Sequence, residues 1–214
     1  QSNIVDEWIV VDNFSLDNSE KLIKSKSKVK LKFFKKKTSI YEAINFALKN
    51  CDSSHYLVMG ADDELLFPSL SKFRQNYFNL TDKTFIFDVL INNKVSRGFN
   101  PKLSILGASK VVNSHSAGML IPKKIHKVIG YYRTDLMICS DSDIIIKILK
   151  SDFKIEHIPI TLGKFSTNGV SNRNTYLSLK ENYKIMLDNN YNSFIQTMFL
   201  FIRILKNLNK IIFK

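Results

Sequence analysis

Short apolar runs alternate with helical patterns over roughly the first 80 residues, and this limits the fold more than any other feature. Glu7-Trp-Ile-Val-Val-Asp12 reads as a buried strand, β-branched and apolar, that ends on a carboxylate. Asn13 to Asn18 is a loop, and Asn18-Ser19-Glu20 begins a short helix. Lys28 to Phe34 alternates Lys with Val, Leu and Phe, as a strand with one wet face does. Thr38 is placed to cap a helix in which Tyr41, Ile44, Ala47 and Leu48 recur at helical spacing. Tyr56 to Met59 is a third strand, and Pro68 opens a third helix with Leu70, Phe73 and Tyr77 on one face. Strand and helix in strict alternation predict a parallel sheet wrapped by helices. A chain of 214 residues is long enough for one such domain with a sizeable core.

The rest follows a different pattern. Thr84 to Ile91 and Val95 to Leu106 read as antiparallel strands, and His115 to Ile121 as a further strand. Asp143 to Leu149 reads as a helix and Phe153 to Leu162 as a strand. From Thr175 onward the pattern is helical.

The third strand runs into Gly60-Ala-Asp-Asp63. Adjacent carboxylates repel each other and favour a cation beside them. In α/β proteins, ligands bind at the carboxyl ends of strands. The pair therefore points to a divalent metal and, through it, to a phosphate-bearing substrate. A net charge of +13 agrees with anionic partners: nucleic acid, an acidic membrane face or phosphorylated substrates. A lysine-rich surface from a bias towards Lys, Asn, Ile and Phe explains that charge equally well. Cys51 and Cys139 have no metal-binding spacing, and the size needs no disulfide, so a reducing, cytoplasmic compartment is expected. Asp6 and Glu7 stand where a signal peptide needs apolar residues. No apolar run approaches the roughly 20 residues that span a bilayer.

Val10-Val-Asp-Asn-Phe-Ser-Leu-Asp-Asn-Ser19 resembles the VVDDGSTDGS segment of family 2 inverting glycosyltransferases, which have the GT-A fold. Asp12, Ser15 and Asp17 match, while Asn13 replaces the second aspartate and Phe14 the glycine. The resemblance implies that Asp12 lies beside the nucleotide, accepting from a base N–H or ribose hydroxyl. Ser39-Ile-Tyr-Glu-Ala-Ile-Asn45 resembles the family's GIYDAMNKG helix, with Tyr41, Ala43 and Asn45 in place. Gly60-Ala-Asp62 falls on its DxD-type motif, leaving Asp62 as metal ligand, with Asp63 sharing the metal (Mg or Mn) or orienting the sugar. Tyr132-Arg-Thr-Asp-Leu-Met-Ile-Cys-Ser-Asp-Ser-Asp143 resembles a segment whose acid ahead of a helix is the general base. Asp141 takes that position; as a residue at a helix start, it or Ser142 would also serve as an N-cap. His115 falls in a strand resembling HQGxFxRR, near diphosphate or acceptor, and is otherwise a structural histidine. Ser171 ends a segment resembling FxxGGVS, a loop that would close over the diphosphate.

The resemblance spans residues 7 to 172. It implies an α/β, GT-A (Rossmann-like) mixed sheet with flanking helices. The family's first strand-helix unit has no counterpart here, so the domain is expected to be N-terminally incomplete, covering 1–174. Residues 175–214 form a basic helical tail, whose Phe, Ile and Leu positions would either meet an anionic membrane surface or pack on the domain. The implied function is metal-dependent transfer of a sugar from a nucleotide-diphosphate donor to a glycan or lipid-linked acceptor hydroxyl. The implied context is bacterial O-antigen, capsule or exopolysaccharide synthesis, inside the cell or at the inner face of the plasma membrane. The rivals are a non-catalytic relative that binds nucleotide poorly and a basic nucleic-acid-binding protein. Acids at the strand ends and the lack of a nucleic-acid motif argue against nucleic acid.

Overall fold

The computed structural model describes residues 5–76, 82–96, 99–112, 116–166 and 174–212. The elements in chain order are β1 (Glu7–Asp12), α1 (Ser19–Lys26), β2 (Lys30–Lys35), α2 (Ile40–Lys49), β3 (His55–Tyr56), β4 (Glu64–Leu65) and α3 (Phe67–Asn76). They continue with β5 (Thr84–Ile91), β6 (Lys94–Ser96), α4 (Ala108–Val111), β7 (Met119–Pro122), α5 (His126–Ile129) and α6 (Ser140–Lys150). Last come β8 (Ile155–Phe165), α7 (Thr175–Asp188), α8 (Ser193–Lys206) and α9 (Leu208–Ile212).

The strands form a mixed α/β arrangement. β1 and β2 pair in parallel, from Glu7 opposite Lys30 to Asp12 opposite Lys35. The larger sheet runs in the order β3-β7-β5-β8-β4, with β6 on β5. Within it β5 and β8 are parallel, while β7 is antiparallel to both β3 and β5. The parallel expectation for the early strands thus holds for β1 and β2 but not for β3, which pairs antiparallel. Four further expectations change, the first being His115 to Ile121, where a 3-10 turn at Ser116–Gly118 precedes the strand Met119–Pro122. Of the stretch Tyr56 to Met59 only Tyr56 is strand, in the two-residue β3 with His55. Val95 to Leu106 is a short strand followed by a 3-10 helix at Pro101–Leu106, where Pro101 lacks a ladder donor. The cap of α2 is Ser39, one residue past Thr38, in a capping box with Glu42.

β5 organises the interior. Thr84 to Val89 are all buried, and alternate side chains face opposite ways. Phe85 and Phe87 point towards α3, where the Phe73 ring meets them edge-on at 5.2 and 4.8 Å. Ile86 points to the larger core, built from α2, β7, α6 and α7 through Leu48, Ile121, Ile144, Ile148, Ile185 and Met186. The β5–β8 register shifts on either side of Asp88, where Ile158 and Thr161 flank Pro159. A proline cannot donate to the ladder, so the strand bulges there.

Glu7 ties the small sheet to the large one. Its Oε1 accepts from the Asp52 N–H at 2.6 Å, the Ser53 N–H at 3.0 Å and the Ser53 hydroxyl at 3.1 Å, just ahead of β3. Its Oε2 lies 3.0 Å from the Lys32 ammonium on β2. Burial alone would raise its pKa, but Lys32 and the Ser53 and Asp52 amides outweigh burial and hold it at about 2, against 4.5 ordinarily. A depressed carboxylate contributes stability that is present above pH 4.5 and lost as pH falls towards 2. Urea unfolding of the wild type should therefore weaken between those values more steeply than that of Glu7→Gln. Equal slopes would remove Glu7 as the cause. Glu7→Ala at pH 7 should cost about 2–4 kcal/mol.

Candidate active site

Three turns at strand and helix ends carry the expected site residues. The first follows β1. The Asp12 carboxylate accepts from the Ser15 N–H at 3.0 Å and the Ser15 hydroxyl at 2.5 Å. Asp17 accepts from the Ser19 N–H at 3.0 Å, and hydrogen bonds from Ser19 hold its carboxyl below the usual range. Between them Phe14 takes φ +60°, the left-handed region in which glycine is at ease. The turn keeps the backbone of a glycine turn although the side chain is Phe, 54 % exposed. Asn13 leaves the turn to accept from the Thr38 N–H at 3.2 Å, ahead of α2.

The second turn is Gly60–Asp63. The Asp63 N–H donates to the Gly60 carbonyl at 3.2 Å, and Asp63 Oδ2 accepts from the Gly60 N–H at 2.8 Å. Asp63 Oδ1 accepts from the Ser166 N–H at 3.1 Å, linking the turn to the end of β8. Gly163 makes that junction fit, since a Cβ there would lie 2.6 Å from the Glu64 carbonyl. A Cβ on Gly60 would meet Asp62 Oδ1 at 3.0 Å and Asp63 Oδ2 at 3.2 Å, so both carboxylates face one small space. Among the described residues no group of three or more His, Cys, Asp or Glu is placed to hold a metal. The pair still fits a hard divalent cation, because Mg is commonly held by one or two carboxylates plus water and substrate phosphates. Asp62 is the more available of the two, since both Asp63 oxygens already accept backbone donors.

The third turn, Tyr131–Cys139, delivers Asp141 in the first turn of α6. Asp141 lines a cavity of about 10 Å³ with Val58, Met119, Ile121, Tyr132 and Ile144, so it faces the segment that leads from β3 to Gly60. Its Oδ1 also accepts from the Ser142 N–H at 2.8 Å. Asp143, the second acid of the motif, is fully buried; it accepts from Asn189 at 3.0 Å and lies 2.7 Å from the Lys147 ammonium. Asn45 reaches this turn from α2. Its amide donates to the Tyr132 carbonyl at 2.7 Å, and its oxygen accepts from the Tyr132 N–H at 3.0 Å. The Tyr41 hydroxyl donates to the Ile138 carbonyl, and its ring stacks on Tyr132 at 5.9 Å. α2 therefore joins the Asp12 turn, through Asn13 and Thr38, to the Asp141 turn. His115 and Ser171 lie outside the described residues.

Several residues of this region carry no sequence signal. Glu181 on α7 is buried, and its carboxylate accepts from the N–H groups of Met137, Ile138 and Cys139 at 2.7, 2.9 and 2.9 Å. Arg133 forks onto Asp135 at 2.9 and 2.6 Å and reaches Asp188 at 2.5 Å, while Lys184 meets Asp135 at 2.7 Å. His126 Nδ1–H donates to the Gly130 carbonyl at 2.8 Å, which leaves Nε2 to accept from the Tyr56 hydroxyl at 2.8 Å. Burial lowers the pKa of this histidine. In the sequence Arg133 and Asp135 fall inside the Tyr132–Asp143 segment but nothing marks their partners, and His126, Glu181, Lys184 and Asp188 stand in no motif.

The model of glycosyl transferase family 2 matches residues 1–130, more than half of the chain. The chain belongs to this family. Asp12, at the end of β1, and Asp62, in the Gly60–Asp63 turn, both lie within the matched residues. Among solved structures, the family 2 chain is similar to TarS of S. aureus. Residues 1–349 of TarS give a TM-score of 0.61 at 17 % identity, covering 95 % of this chain and 63 % of that one. The same segment with UDP-GlcNAc gives 0.61 at 16 %, covering 95 % and 63 %, and with UDP 0.57 at 15 %, covering 95 % and 62 %. At these identities the likeness establishes the GT-A fold. The chain spans less than two thirds of the length of those structures. No curated protein matches.

The left-handed Phe14 is directly testable. A non-glycine residue there costs about 1–2 kcal/mol, partly offset by the greater chain entropy of an unfolded glycine. Phe14→Gly should raise the thermal midpoint by about 1–4 °C in a chain of this size. A fall in a melting scan would mean that the ring contributes more than the backbone conformation costs.

Proposed function

We propose that the chain is the catalytic part of an inverting glycosyltransferase. It would move a sugar from a nucleotide-diphosphate donor to an acceptor hydroxyl in the synthesis of a bacterial surface polysaccharide. The observation that carries this reading is Asp141, which lines a cavity together with Val58, two residues before the Gly60–Asp63 turn. A carboxylate at a helix start then shares a cavity with the segment that leads into a turn bearing two carboxylates, inside a family 2 fold. TarS structures with UDP and UDP-GlcNAc support a nucleotide-sugar donor.

In this reading Asp12 and Ser15, with Asp17 shaping the turn, hold the nucleoside. Asp62 and Asp63 hold a divalent cation, Mg or Mn, which when bound neutralises charge on the departing nucleoside diphosphate. Asn45 sets the Tyr132 backbone beside the reacting groups, and His115 and Ser171 would meet the diphosphate or acceptor. Asp141 accepts the acceptor hydroxyl's proton as that oxygen bonds to the anomeric carbon. The bond from that carbon to the diphosphate oxygen breaks on the opposite face, which inverts the centre. Release of UDP from UDP-GlcNAc, paired with calorimetry of UDP in Mn buffer, tests these roles. Asp141→Asn should lose turnover by about 10²-fold or more and keep metal-dependent UDP binding. Asp62→Ala should lose the metal-dependent binding. The opposite pattern sinks the assignment.

The acceptor in this reading is a glycan or lipid-linked saccharide, met at an anionic membrane surface. Phe194, Met198, Phe201, Leu205, Leu208 and Ile212 recur at spacings of three and four along α8 and α9 and are all exposed. Lys206 and Lys210 are exposed on the same helices, and no acid occurs between residues 189 and 214. An exposed apolar stripe with basic neighbours suits an anionic lipid surface. No helix among the described residues is long and apolar enough to cross a membrane. Sedimentation with phosphatidylglycerol vesicles should carry the protein down, and phosphatidylcholine vesicles or a Phe201→Asp, Leu205→Asp variant should not. Concentration-dependent self-association without vesicle binding would assign the stripe to a second copy instead.

A further inference from the structure

We infer that Glu181 is a positioning residue for Asp141, holding from α7 the three peptide units that deliver the proposed base to the site. The inference rests on reading Asp141 as that base. Three consecutive N–H groups, those of Met137, Ile138 and Cys139, converge on one carboxylate that is only 6 % exposed. Such a run of amides is an anion-binding concavity, and here the protein fills it with its own side chain. Charge-assisted hydrogen bonds of this kind are about twice as strong as neutral ones.

The clamp acts on Asp141 because of where it grips. Cys139 directly precedes α6, and Asp141 is the second residue of that helix. From the opposite side Tyr41 donates to the Ile138 carbonyl, so the same residue is held through both its donor and its acceptor. The Arg133 N–H donates to the buried Ser140 hydroxyl at 2.5 Å, closing the turn over the helix start. Other contacts come from the same face of α7, since Ser178, Glu181, Lys184 and Asp188 follow at helical spacing. Ser178 meets Cys139 Sγ at 3.5 Å, while Lys184 and Asp188 hold the side chains of Asp135 and Arg133. Burial, against a lowering hydrogen bond with Ser178 and aided by the Asp141 and Glu181 charges, pushes the Cys139 thiol up to about 12.

A carboxylate is needed for a geometric reason. Oε2 accepts from both Ile138 and Cys139 while Oε1 accepts from Met137. Glutamine has one acceptor oxygen, so it can keep the pair or the single bond but would face the remaining N–H with a donor. Alanine keeps none. A misplacement of about 1 Å in a reacting group can slow turnover about 10²-fold.

The test uses UDP release from UDP-GlcNAc in Mn buffer, with amide hydrogen exchange of the 137–139 segment read in parallel. Glu181→Ala should lower kcat about 10²-fold with the donor KM within about twofold, and Glu181→Gln should fall between it and the wild type. Amides 137–139 should exchange faster in the same order. Gln196→Ala, which removes a buried contact to the Ile105 carbonyl away from this turn, is the control for lost stability and should leave kcat in place. A wild-type kcat in either Glu181 variant, or a raised KM at constant kcat, overturns the inference. Unchanged exchange overturns it without reference to turnover, and serves if Glu181→Ala does not fold, because Glu181→Gln is read in the same way. Retained turnover in Asp141→Asn is a separate result: it removes the base and leaves the clamp as measured by exchange.

Discussion

A backbone N–H taken out of water without a partner costs about 1–3 kcal/mol, and irregular turns at a site have several to satisfy. Two partly or fully buried carboxylates meet that demand here. Glu7 gathers the Asp52 and Ser53 donors ahead of β3, and Glu181 gathers three amides ahead of α6. Each acid sits on a regular element and grips a turn that leads into a different one. The relative placing of β1, β3 and α6, and with them the expected site residues, depends on these grips as much as on apolar packing. Their strength comes from several donors converging on one carboxylate, and at Glu7 those donors and Lys32 outweigh burial and hold the group far below an ordinary carboxylate.

Apolar packing supplies the frame on which the turns are hung. The fully buried start of β5 splits its side chains between the Phe73 cluster and the larger core. That core draws in α2 and α7, so the two helices that hold the Asp141 turn are anchored by the same contacts that stabilise the sheet. Asn45 and Tyr41 reach the turn from one side, and Glu181, Lys184 and Asp188 from the other. For the role proposed for Asp141, fixing from two sides suits catalysis, because the geometry is set before substrate arrives.

Much of the frame was legible in the residues. A β-branched apolar run located β1, alternation located β2, and helical spacing located α2, because burial imposes those patterns. The short strands misled. Tyr56 to Met59 is apolar enough for a full strand, yet of these only Tyr56 finds a ladder partner, on β7, which lies more than 60 residues away. Pairing at such range leaves no local trace. Asp12, Ser15, Asp62 and Asp141 were visible because each falls within a recognisable motif, Asp12 at the end of β1 and Asp141 in the first turn of α6. Asn45 was visible by motif too, but its partner, the Tyr132 backbone, was not.

By itself the sequence determined most of the helices and the longer strands, the motifs in which Asp12 and Asp141 stand, and the family to which the chain belongs, since these follow from local periodicity and motif order. Tertiary structure alone decided that β3 runs antiparallel to β7, that Phe14 holds a left-handed turn, and that Glu181 grips the approach to Asp141. The reason is physical. Sheet direction, positive φ and the filling of an amide concavity are settled by contacts between residues far apart in the chain, and a side chain's type does not reveal which distant backbone it will meet.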